Sequence, residues 1–392
     1  MINIINRINR ELCCGCSVCA DQCPEKCINM VNDEEGFQYP HVDRNKCIDC
    51  GACNKVCPIE NAIAEKNRLL SAYAVWNKDD TIRIQSTSGG VFTALAETVI
   101  QQNGIVIGAQ YDHNSQVGHA VTEDQDGIVR LRQSKYVQSE TKGIYIATKK
   151  ALATGRTVLF CGTPCQTEAL IKFLRGKPGN LILCDFICRG VISPLVYKKY
   201  LEYLEKKYGS RIKQVHFKNK TYGWHRFSTK VTFENGKEYI QDRYHDSYML
   251  LYLRENVSLR PSCYQCLFKG INRCSDITLG DFWGAEEKYS DLDNNRGTSA
   301  VMVHTKLGKD VLMESQTYLE IHSVDVMDIV KGNNCILHPP ICQTDRKKFF
   351  DSLEWKGYSY IKKKYCGTHV RGLKQFLLKG VKNVKKSTNT NN

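Results

Sequence analysis

Hydrophobic and polar positions along most of the chain alternate in a way that predicts strands and helices in turn. Short apolar runs predict strands at residues 72–76, 104–110, 157–161, 180–186, 276–279 and 299–304. Helical spacing of apolar positions predicts amphipathic helices at residues 90–102, 142–153, 166–175, 194–208 and 306–319. This succession favours an α/β body of mixed α+β character, and the pattern of residues 211–241 predicts an antiparallel excursion from it.

The N-terminal residues follow another pattern, in which cysteines repeat with a period of 34 residues, from Cys13 to Cys47. Such a period indicates an internal duplication. Each half reads C-x2-C-x2-C-x3-C-P, the spacing of bacterial ferredoxins that hold two 4Fe–4S clusters. Residues 37–42 alternate like a strand, and residues 60–71 are expected to form a short helical linker. The predicted fold class is therefore an α/β (mixed α+β) body preceded by a small duplicated ferredoxin-like domain.

In this motif three thiolates of one loop surround a cubane cluster, and the fourth comes from the other half of the repeat. The predicted ligands of the first cluster are Cys13, Cys16, Cys19 and Cys57, and those of the second are Cys47, Cys50, Cys53 and Cys23. A zinc site is the alternative, but it needs neither the third cysteine nor the trailing Cys-Pro. Cys14 and Cys27 lie outside the template and are expected to be bystanders. Gly15 and Gly51 are expected at matching positions, where the backbone turns close to sulfur.

Length and composition narrow the class of protein. A chain of 392 residues with 42% hydrophobic residues can bury a core and is long enough for two or three domains. It has neither an apolar run of the roughly 18 residues that span a bilayer nor a recognisable signal peptide, so a cytoplasmic location is expected. A reducing compartment keeps the 20 cysteines available as metal ligands rather than disulfides.

The formal net charge of +14 is typical of nucleic-acid-binding proteins, but cluster-bound thiolates lower it. Much of the excess lies in the last 32 residues, where nine Lys and Arg residues meet no Asp or Glu. Nucleic acid is therefore not expected as a partner. Residues 361–386 interleave apolar residues with lysines, which is compatible with peripheral membrane contact. A solvated helix or a surface for an acidic partner is favoured instead, and the polar end of the chain is expected to fray.

A third group of cysteines lies in the body. Cys263, Cys266 and Cys274 follow one another closely and need a fourth ligand to hold a cubane cluster. Cys188 and Cys165 are the two candidates, since each follows a predicted strand and open α/β sheets bind ligands at the carboxyl ends of strands. The predicted third 4Fe–4S cluster uses Cys188, Cys263, Cys266 and Cys274, with Cys165 as the alternative to Cys188. A structural zinc site or reduced core thiols are the other interpretation.

Several turns that contain glycine follow predicted strands or open predicted helices. The turn at Ser88, Gly89 and Gly90 precedes a helix, where free backbone N–H groups can bind an anion, and residues 162–164 repeat this arrangement. Each turn alone is more readily structural, since Ser and Thr also cap ordinary helices. Beside iron–sulfur clusters, however, these turns favour a flavin, which converts one-electron into two-electron chemistry. No GxGxxG fingerprint is present, so an ordinary dinucleotide site is not supported.

The order of the motifs carries a resemblance to a known family. The motifs are Ser88-Gly89-Gly90, Ser134-Lys135-Tyr136, Gly162-Thr163-Pro164-Cys165-Gln166, Cys188-Arg189-Gly190, the 263–274 cysteines and Gly280-Asp281-Phe282-Trp283-Gly284. Together they resemble the coenzyme F-420 hydrogenase/dehydrogenase beta-subunit family over residues 10–310, with a two-cluster ferredoxin domain in front. The resemblance implies bound FAD, a 4Fe–4S cluster in the body, and electron exchange with a deazaflavin or another two-electron acceptor.

The resemblance also implies positions for the cofactor. The residues expected to contact FAD or its phosphates are Ser88, Gly89, Gly90, Lys135, Gly162 and Thr163. The family's segment at Cys188 more often reads Cys-His-Gly, so Arg189 departs from it and removes an imidazole. His225, His245 and His304 are candidate proton donors, each of which is more often structural in such a position. No catalytic residue is singled out.

These inferences divide the chain into four regions. They are a two-cluster 4Fe–4S ferredoxin-type domain at 1–65, the N-terminal part of the flavin-binding body at 66–155, its C-terminal part with the third cluster at 156–320, and a basic C-terminal region with a frayed tail at 321–392. The predicted protein is an iron–sulfur flavoprotein oxidoreductase that relays electrons between a ferredoxin-type donor and a small-molecule two-electron acceptor. The alternative is a non-catalytic electron-transfer subunit that serves a partner enzyme.

Overall fold

The structure, a computed structural model, describes residues 9–367, which form a small cysteine-rich module and a larger body. The strands are β1 (Ile28–Asn32), β2 (Gln38–Val42), β3 (Ser71–Asn77), β4 (Ile105–Tyr111), β5 (Val117–Thr122), β6 (Val158–Cys161), β7 (Leu181–Phe186), β8 (Ile212–Asn219), β9 (Ser228–Phe233), β10 (Glu238–Asp242), β11 (Ile277–Asp281), β12 (Ser299–Val303) and β13 (Leu319–Ser323). The helices are α1 (Val18–Gln22), α2 (Ala52–Lys55), α3 (Asp80–Gln85), α4 (Val91–Gln101), α5 (Gln125–Leu131), α6 (Ile144–Leu152), α7 (Pro164–Leu174), α8 (Pro194–Tyr208), α9 (Ser247–Leu253), α10 (Lys306–Glu314), α11 (Val326–Gly332) and α12 (Arg346–Cys366).

Within residues 9–367, the body is built on an eight-stranded sheet with the order β13-β3-β12-β11-β7-β6-β4-β5. Strands β4, β6, β7 and β11 run parallel in its centre, and the strands on both sides of them pair antiparallel. All six strands predicted from apolar runs lie in this sheet, which confirms the α/β body of mixed character. Because parallel strands end at one edge, their following loops meet there.

The central strands are buried on both faces, as parallel strands usually are. Along β6, Val158 and Phe160 point to a layer formed by α6 and α7, whereas Leu159 and Cys161 point to a layer formed by α4, α5 and α10. This alternation follows from the two-residue period of a strand. Burying apolar side chains on both faces is what holds the helical layers to the sheet.

A second core lies beside the main sheet. Strands β8, β9 and β10 form an antiparallel sheet, which confirms the excursion predicted for residues 211–241. It packs with α8, α9 and α12 around many aromatic rings. The hydroxyls of Tyr200 and Tyr239 donate to Asp246 Oδ2 at 2.9 and 2.8 Å, and Asp246 also accepts from the Met249 N–H at the start of α9. The buried carboxylate is thereby satisfied.

The cysteine-rich module contains the antiparallel hairpin β1–β2 and the short helices α1 and α2. Its first cysteine loop packs against α6 and α7 of the body. The Asp21 carboxylate accepts from the Gly143 and Tyr145 N–H groups at 2.7 and 3.2 Å, so the module caps the N-terminus of α6. The Thr141 hydroxyl donates to the Cys16 carbonyl at 2.8 Å. The module is therefore joined to the body by specific polar contacts.

Two local predictions for this region are wrong. Residues 60–70 form an irregular loop rather than a helix and Ser71 begins β3, because the Asn67 N–H donates to the Arg273 carbonyl at 2.9 Å and holds the backbone extended. The 34-residue period aligns Gly15 with Asp49 and Ser17 with Gly51, so the two glycines do not match. All four have positive φ, at 65°, 49°, 64° and 70°, so each half places one glycine and one other residue in the left-handed region.

The basic C-terminal stretch is described only in part. Helix α12 ends at Cys366, and the rest of residues 361–386, together with the end of the chain for which fraying is predicted, lies outside the described residues. Among residues 9–367, no helix combines the length and the apolar character needed to cross a membrane.

Candidate functional site

A cavity of about 980 Å³ opens at the carboxyl ends of the parallel strands. Its wall includes Cys161 at the end of β6, Phe186 at the end of β7 and Asp281 at the end of β11. This is the edge at which open α/β sheets bind ligands. The volume lies in the range of cavities that hold organic cofactors.

Five of the six residues expected to contact FAD line this cavity, namely Ser88, Gly90, Lys135, Gly162 and Thr163. Gly89 does not, since its N–H donates to the Ser299 hydroxyl at 2.8 Å and a Cβ there would lie 2.3 Å from the Val75 carbonyl oxygen. Gly89 therefore permits close packing against the sheet. The Ser88 hydroxyl donates to the Thr298 carbonyl at 2.9 Å, so a ligand would meet the backbone of this turn rather than that hydroxyl.

Helix α4 begins in the cavity wall. Its N-cap, Gly90, has a φ of 88°, and no side chain caps the first turn. The wall also includes Val91, Phe92 and Thr93, whose N–H groups belong to that turn. The positive end of the helix dipole and these donors suit a phosphate group.

Lys135 adds a cation to the same wall. Its Nζ donates to the carbonyl oxygens of Arg130, Leu131 and Arg132 at 3.2, 2.8 and 2.7 Å, where α5 ends. Burial lowers the pKa of Lys135 to about 7. The ammonium group therefore holds the end of α5 in place, and near neutral pH it is close to its protonation midpoint.

Among the described residues of the wall, two buried nitrogens have no hydrogen-bond partner: His119 Nδ1 and Arg189 Nε. His119 Nε2 donates to the Cys161 carbonyl at 3.3 Å, and burial lowers the pKa of His119 to about 4, so the neutral ring leaves Nδ1 as an acceptor. Arg189 Nη2 donates to Asn256 Oδ1 at 2.7 Å, which leaves Nε as a donor. An unpaired acceptor and an unpaired donor, with the uncapped first turn of α4, fit FAD.

Another part of the wall carries a buried ion pair between Lys218 and Asp281. Asp281 also accepts from Trp224 Nε1 at 3.2 Å. Lys218 Nζ and Arg243 Cζ lie 4.7 and 5.6 Å from the centre of the Trp283 ring. Asp281 neutralises Lys218, so Arg243 supplies the positive charge of this part of the cavity, which suits a ligand that carries negative charge.

The histidines noted in the sequence, His225, His245 and His304, do not line the cavity. His225 and His245 pair with acidic side chains, and His304 is buried beside a threonine hydroxyl. His119 and His338 lie in the wall instead. His119 was not among the candidate residues because it lies on β5, an edge strand in which polar residues interrupt the apolar alternation.

The structure brings the predicted module ligands together as two groups. Burial raises the pKa of Cys19, and repulsion from the Cys13 and Cys57 thiolates adds to the rise. Repulsion from the Cys57 thiolate also acts to raise the pKa of Cys16. The four predicted ligands of the second cluster line a small common cavity with Cys27: Cys23, Cys47, Cys50 and Cys53. Cys27 Sγ lies 3.3 Å from Cys23 Sγ, so one of the cysteines outside the template contacts this group.

In the body, three predicted ligands share a neighbour. Burial raises the pKa of Cys188, Cys263 and Cys266, and repulsion from the Cys165 thiol adds to the rise in each case. A Cβ at Gly190 would lie 3.4 Å from Cys263 Sγ, so the turn that follows Cys188 lies directly against Cys263. Cys165 and Cys188, which were alternatives from the sequence, thus lie in one group.

Cys274 has a different environment. Its Sγ donates to Glu168 Oε2 at 3.7 Å, and burial, followed by the charge of Glu168, raises the pKa of Cys274 to about 12. A neighbouring carboxylate disfavours the thiolate that iron requires.

The spread of the sulfurs separates zinc from iron–sulfur chemistry. A zinc ion with four cysteine ligands holds its sulfurs about 3.8 Å apart, because Zn–S bonds of about 2.3 Å point to the corners of a tetrahedron. Within residues 9–367, one group of three side chains has its metal-ligating atoms all within 4.8 Å of one another. This group is His225, Glu286 and Asp293, and it contains no cysteine. Among the described residues, no three cysteine sulfurs lie that close together, so the cysteine groups are wider than a zinc site requires.

The cysteine groups lie in an order from the surface to the cavity. Cys50 of the second group is exposed, whereas the first group packs against the body. Cys14, in the first loop, lies close enough to Cys165 of the body group for each thiol to shift the pKa of the other. Cys188 of that group lines the large cavity. Cys14, expected to be a bystander, therefore lies at the junction between module and body.

Comparison with known proteins supports the two-part architecture. Residues 12–61 match the family described as 4Fe-4S dicluster domain, and residues 155–327 match the family described as the C terminus of the coenzyme F420 hydrogenase/dehydrogenase beta subunit. The chain is 21% identical over 176 residues to one subunit of the F(420)H(2) dehydrogenase of Methanosarcina mazei, covering 41% of this chain and 48% of that subunit. It is 40% identical over 58 residues to the VorC subunit of ketoisovalerate oxidoreductase from Methanothermobacter marburgensis, covering 14% of this chain and 73% of that subunit.

Among solved structures, the F420-reducing NiFe hydrogenase complex from Methanosarcina barkeri aligns with a TM-score of 0.47 and 17% identity, covering 74% of this chain and 94% of that chain. The chain spans about half the length of the curated dehydrogenase subunit. The predicted dicluster module is confirmed, which makes the chain an iron–sulfur protein of an oxidoreductase family. Residues 155–327 therefore form a domain of the kind found at the C terminus of the coenzyme F420 hydrogenase/dehydrogenase beta subunit, and a 4Fe-4S dicluster ferredoxin domain precedes it at residues 12–61.

Proposed function

We propose that this chain is an iron–sulfur flavoprotein oxidoreductase that relays electrons between a redox protein and a two-electron acceptor bound in the cavity. The observation that carries the proposal is the order of the cysteine groups, from exposed Cys50 through the Cys14–Cys165 contact to Cys188 in the cavity wall. FAD bound in the cavity would supply the conversion between one-electron and two-electron chemistry.

The third cluster is proposed to use Cys165, Cys188, Cys263 and Cys266. The shared influence of Cys165 on the other three thiols supports this set. The set predicted from the sequence, with Cys274 in place of Cys165, is the competing assignment. Cys274 pairs with Glu168, which would have to move before that sulfur could bind iron.

Different residues of the wall would bind different parts of the cofactor. The first turn of α4 would bind phosphate oxygens through its N–H groups, and Lys135 would add positive charge nearby. His119 Nδ1 would accept a hydrogen bond from the ligand, and Arg189 Nε would donate one, which satisfies both atoms. These contacts orient the ligand and exclude water from the wall.

The acceptor is proposed to bind near Lys218, Arg243 and Trp283, where cations flank an aromatic ring. A ligand with negative charge fits this surface because Arg243 adds positive charge there. Because the similar subunit from Methanosarcina mazei belongs to an F(420)H(2) dehydrogenase, coenzyme F420 is the first acceptor to test. The direction of electron flow follows from the potentials of donor and acceptor.

Anaerobic reconstitution of the full chain, followed by quantitation of iron, sulfide and flavin, tests this proposal. We expect about twelve iron atoms and one FAD per chain, since three cubane clusters hold four irons each. The reduced protein should be reoxidised by the acceptor without a partner. Failure to bind flavin would overturn the enzyme proposal, whereas bound flavin without reoxidation by any small acceptor would favour the non-catalytic electron-transfer subunit. About eight irons would remove the body cluster.

A further inference from the structure

A buried arginine lies between the first cysteine group and the body group. Arg260 is 0% exposed, and its guanidinium makes three hydrogen bonds. Nε donates to the Cys13 carbonyl at 2.7 Å, Nη2 to the Gln38 carbonyl at 2.9 Å, and Nη1 to Gln138 Oε1 at 2.8 Å. The first two partners belong to the module and the third to the body. A Cβ at Gly15 would lie 2.6 Å from Nη1, so glycine there makes room for the cation.

The positive charge of Arg260 has no negative partner of its own among the side chains of residues 9–367. Its hydrogen bonds end on carbonyl and amide oxygens, and the rings of Tyr39 and Phe37 lie 4.3 and 5.3 Å from Cζ. Burial of an unpaired charge is strongly unfavourable unless opposite charge lies nearby. The environment of this arginine therefore requires negative charge that no carboxylate in the described part of the chain supplies.

Both neighbouring cysteine groups can supply that charge. Arg260 binds the backbone of Cys13, a predicted ligand of the first cluster, through its side chain. Its own carbonyl accepts from the Cys263 N–H at 2.9 Å, and Cys263 is a ligand in the proposed body cluster. A cubane cluster with four thiolates carries net negative charge, and nearby charge and hydrogen bonds set its reduction potential.

We propose that Arg260 is a positioning residue shared by two clusters: its guanidinium is the counter-charge of both the first module cluster and the body cluster and raises the reduction potentials of both. The inference rests on the proposed function, since it needs a cluster at Cys263. The outer cluster, at Cys47 and Cys50, lies away from these contacts and is influenced less, because Coulomb interactions weaken with distance. An electron that enters at the outer cluster is thereby drawn to the junction between module and body.

A redox titration followed by electron paramagnetic resonance tests the inference on the anaerobically reconstituted full chain. In Arg260→Met we expect lower midpoint potentials for two clusters and a smaller change for the outer cluster. The expected shift is at least a tenfold change in the ratio of reduced to oxidised cluster at fixed potential, which is about 59 mV for one electron. In Arg260→Lys, which keeps the charge, both potentials should stay closer to those of the unmodified protein.

Arg346 provides the matched control. It also joins module and body, through a bidentate pair with Glu35 and a 2.8 Å bond from Nη1 to the Val257 carbonyl, but its charge has a carboxylate partner. Arg346→Met should weaken docking without shifting any cluster potential. Equal shifts in the Arg260 and Arg346 variants, or potentials unchanged in Arg260→Met with full iron content, would overturn the inference. If Arg260→Met loses iron, the cluster potentials of Arg260→Lys decide the question. Potentials that fall although the charge is retained would also contradict the inference.

The test of Arg260 and the test of the proposed function give results that can be told apart. About eight irons in the unmodified chain would remove the body cluster and with it the shared role. About twelve irons with unchanged potentials would leave the electron relay intact and reject the role of Arg260 alone.

Discussion

The two halves of the cysteine module carry one motif but lie in different environments. In the first half, Cys16 and Cys19 are each 8% exposed, and the loop packs against α6 and α7. In the second half, Cys50 is exposed and the neighbouring Ile48 is 62% exposed. The backbone conformations correspond, with left-handed residues at equivalent positions. Docking on the body, rather than any difference in the motif, makes the two halves unequal.

This difference gives the two cysteine groups of a duplicated motif different positions in the proposed electron relay. The exposed second group is accessible to an external redox protein, whereas the buried first group is in contact with the body through Thr141 and the Cys14–Cys165 pair. If the halves were equivalent in function, substitutions at equivalent ligands would have equivalent effects.

The largest expected effect comes from comparing Cys16→Ser with Cys50→Ser, which change equivalent ligands of the two halves. Each variant should lose about four irons. Cys16→Ser should abolish reduction of the bound flavin by a protein donor, because it breaks the relay next to the body, whereas Cys50→Ser should slow it by removing the outer entry. Iron assays and stopped-flow flavin spectra measure both. Equal loss of flavin reduction in the two variants would contradict the proposed order of the clusters.

A second pair of variants tests the body group. Cys165→Ser should remove about four irons per chain, and Cys274→Ser should remove none, because Cys274 Sγ bonds to Glu168 rather than to the other thiols. Iron and sulfide quantitation after anaerobic reconstitution distinguishes them. The reverse result would restore the ligand set predicted from the sequence, with Cys274 as the fourth ligand.

The pKa of Lys135, lowered to about 7 by burial, predicts a pH dependence of flavin binding. Below pH 7 the free protein already carries the cation, whereas above it a proton must be taken up when an anionic ligand binds. Affinity should therefore fall as pH rises above about 7, by at most about tenfold per pH unit for one proton. Lys135→Arg, which stays charged, should flatten the profile measured by fluorescence titration. Lys150→Arg, on an exposed surface, is the control, and an unchanged slope in Lys135→Arg would rule out this linkage.

The smallest expected effect concerns the docking of the first half. Asp21→Ala removes the cap that the module provides for α6 and should lower the free energy of unfolding by about 1 kcal/mol. Glu25→Ala changes an exposed carboxylate in the same module and should leave stability within about 0.5 kcal/mol. Thermal unfolding of the reconstituted chain compares them. Equal stability of both variants would show that the cap does not hold the two parts together.

The pattern of apolar residues predicted the central strands well because each is buried on both faces. Val158, Leu159 and Leu181 belong to such runs, and their strands were placed within one or two residues. The edge strands β5 and β13 escaped prediction, because partly exposed strands need no continuous apolar run. His119 was therefore missed as a residue of the cavity wall. The linker at residues 60–71 was predicted wrongly because its conformation depends on a bond to Arg273.

The sequence by itself determined the two module clusters, since three of the four ligands of a cubane lie within one short loop and their spacing is local. It also identified the turns that line the cavity, because each follows a strand or opens a helix that the local sequence predicts. Only the tertiary structure decided that Cys165 joins Cys188 while Cys274 faces Glu168, and that Cys14 meets the body. Those contacts depend on which strands are neighbours and how the module docks. Such choices are made by the packing of the whole molecule and not by any short stretch of it.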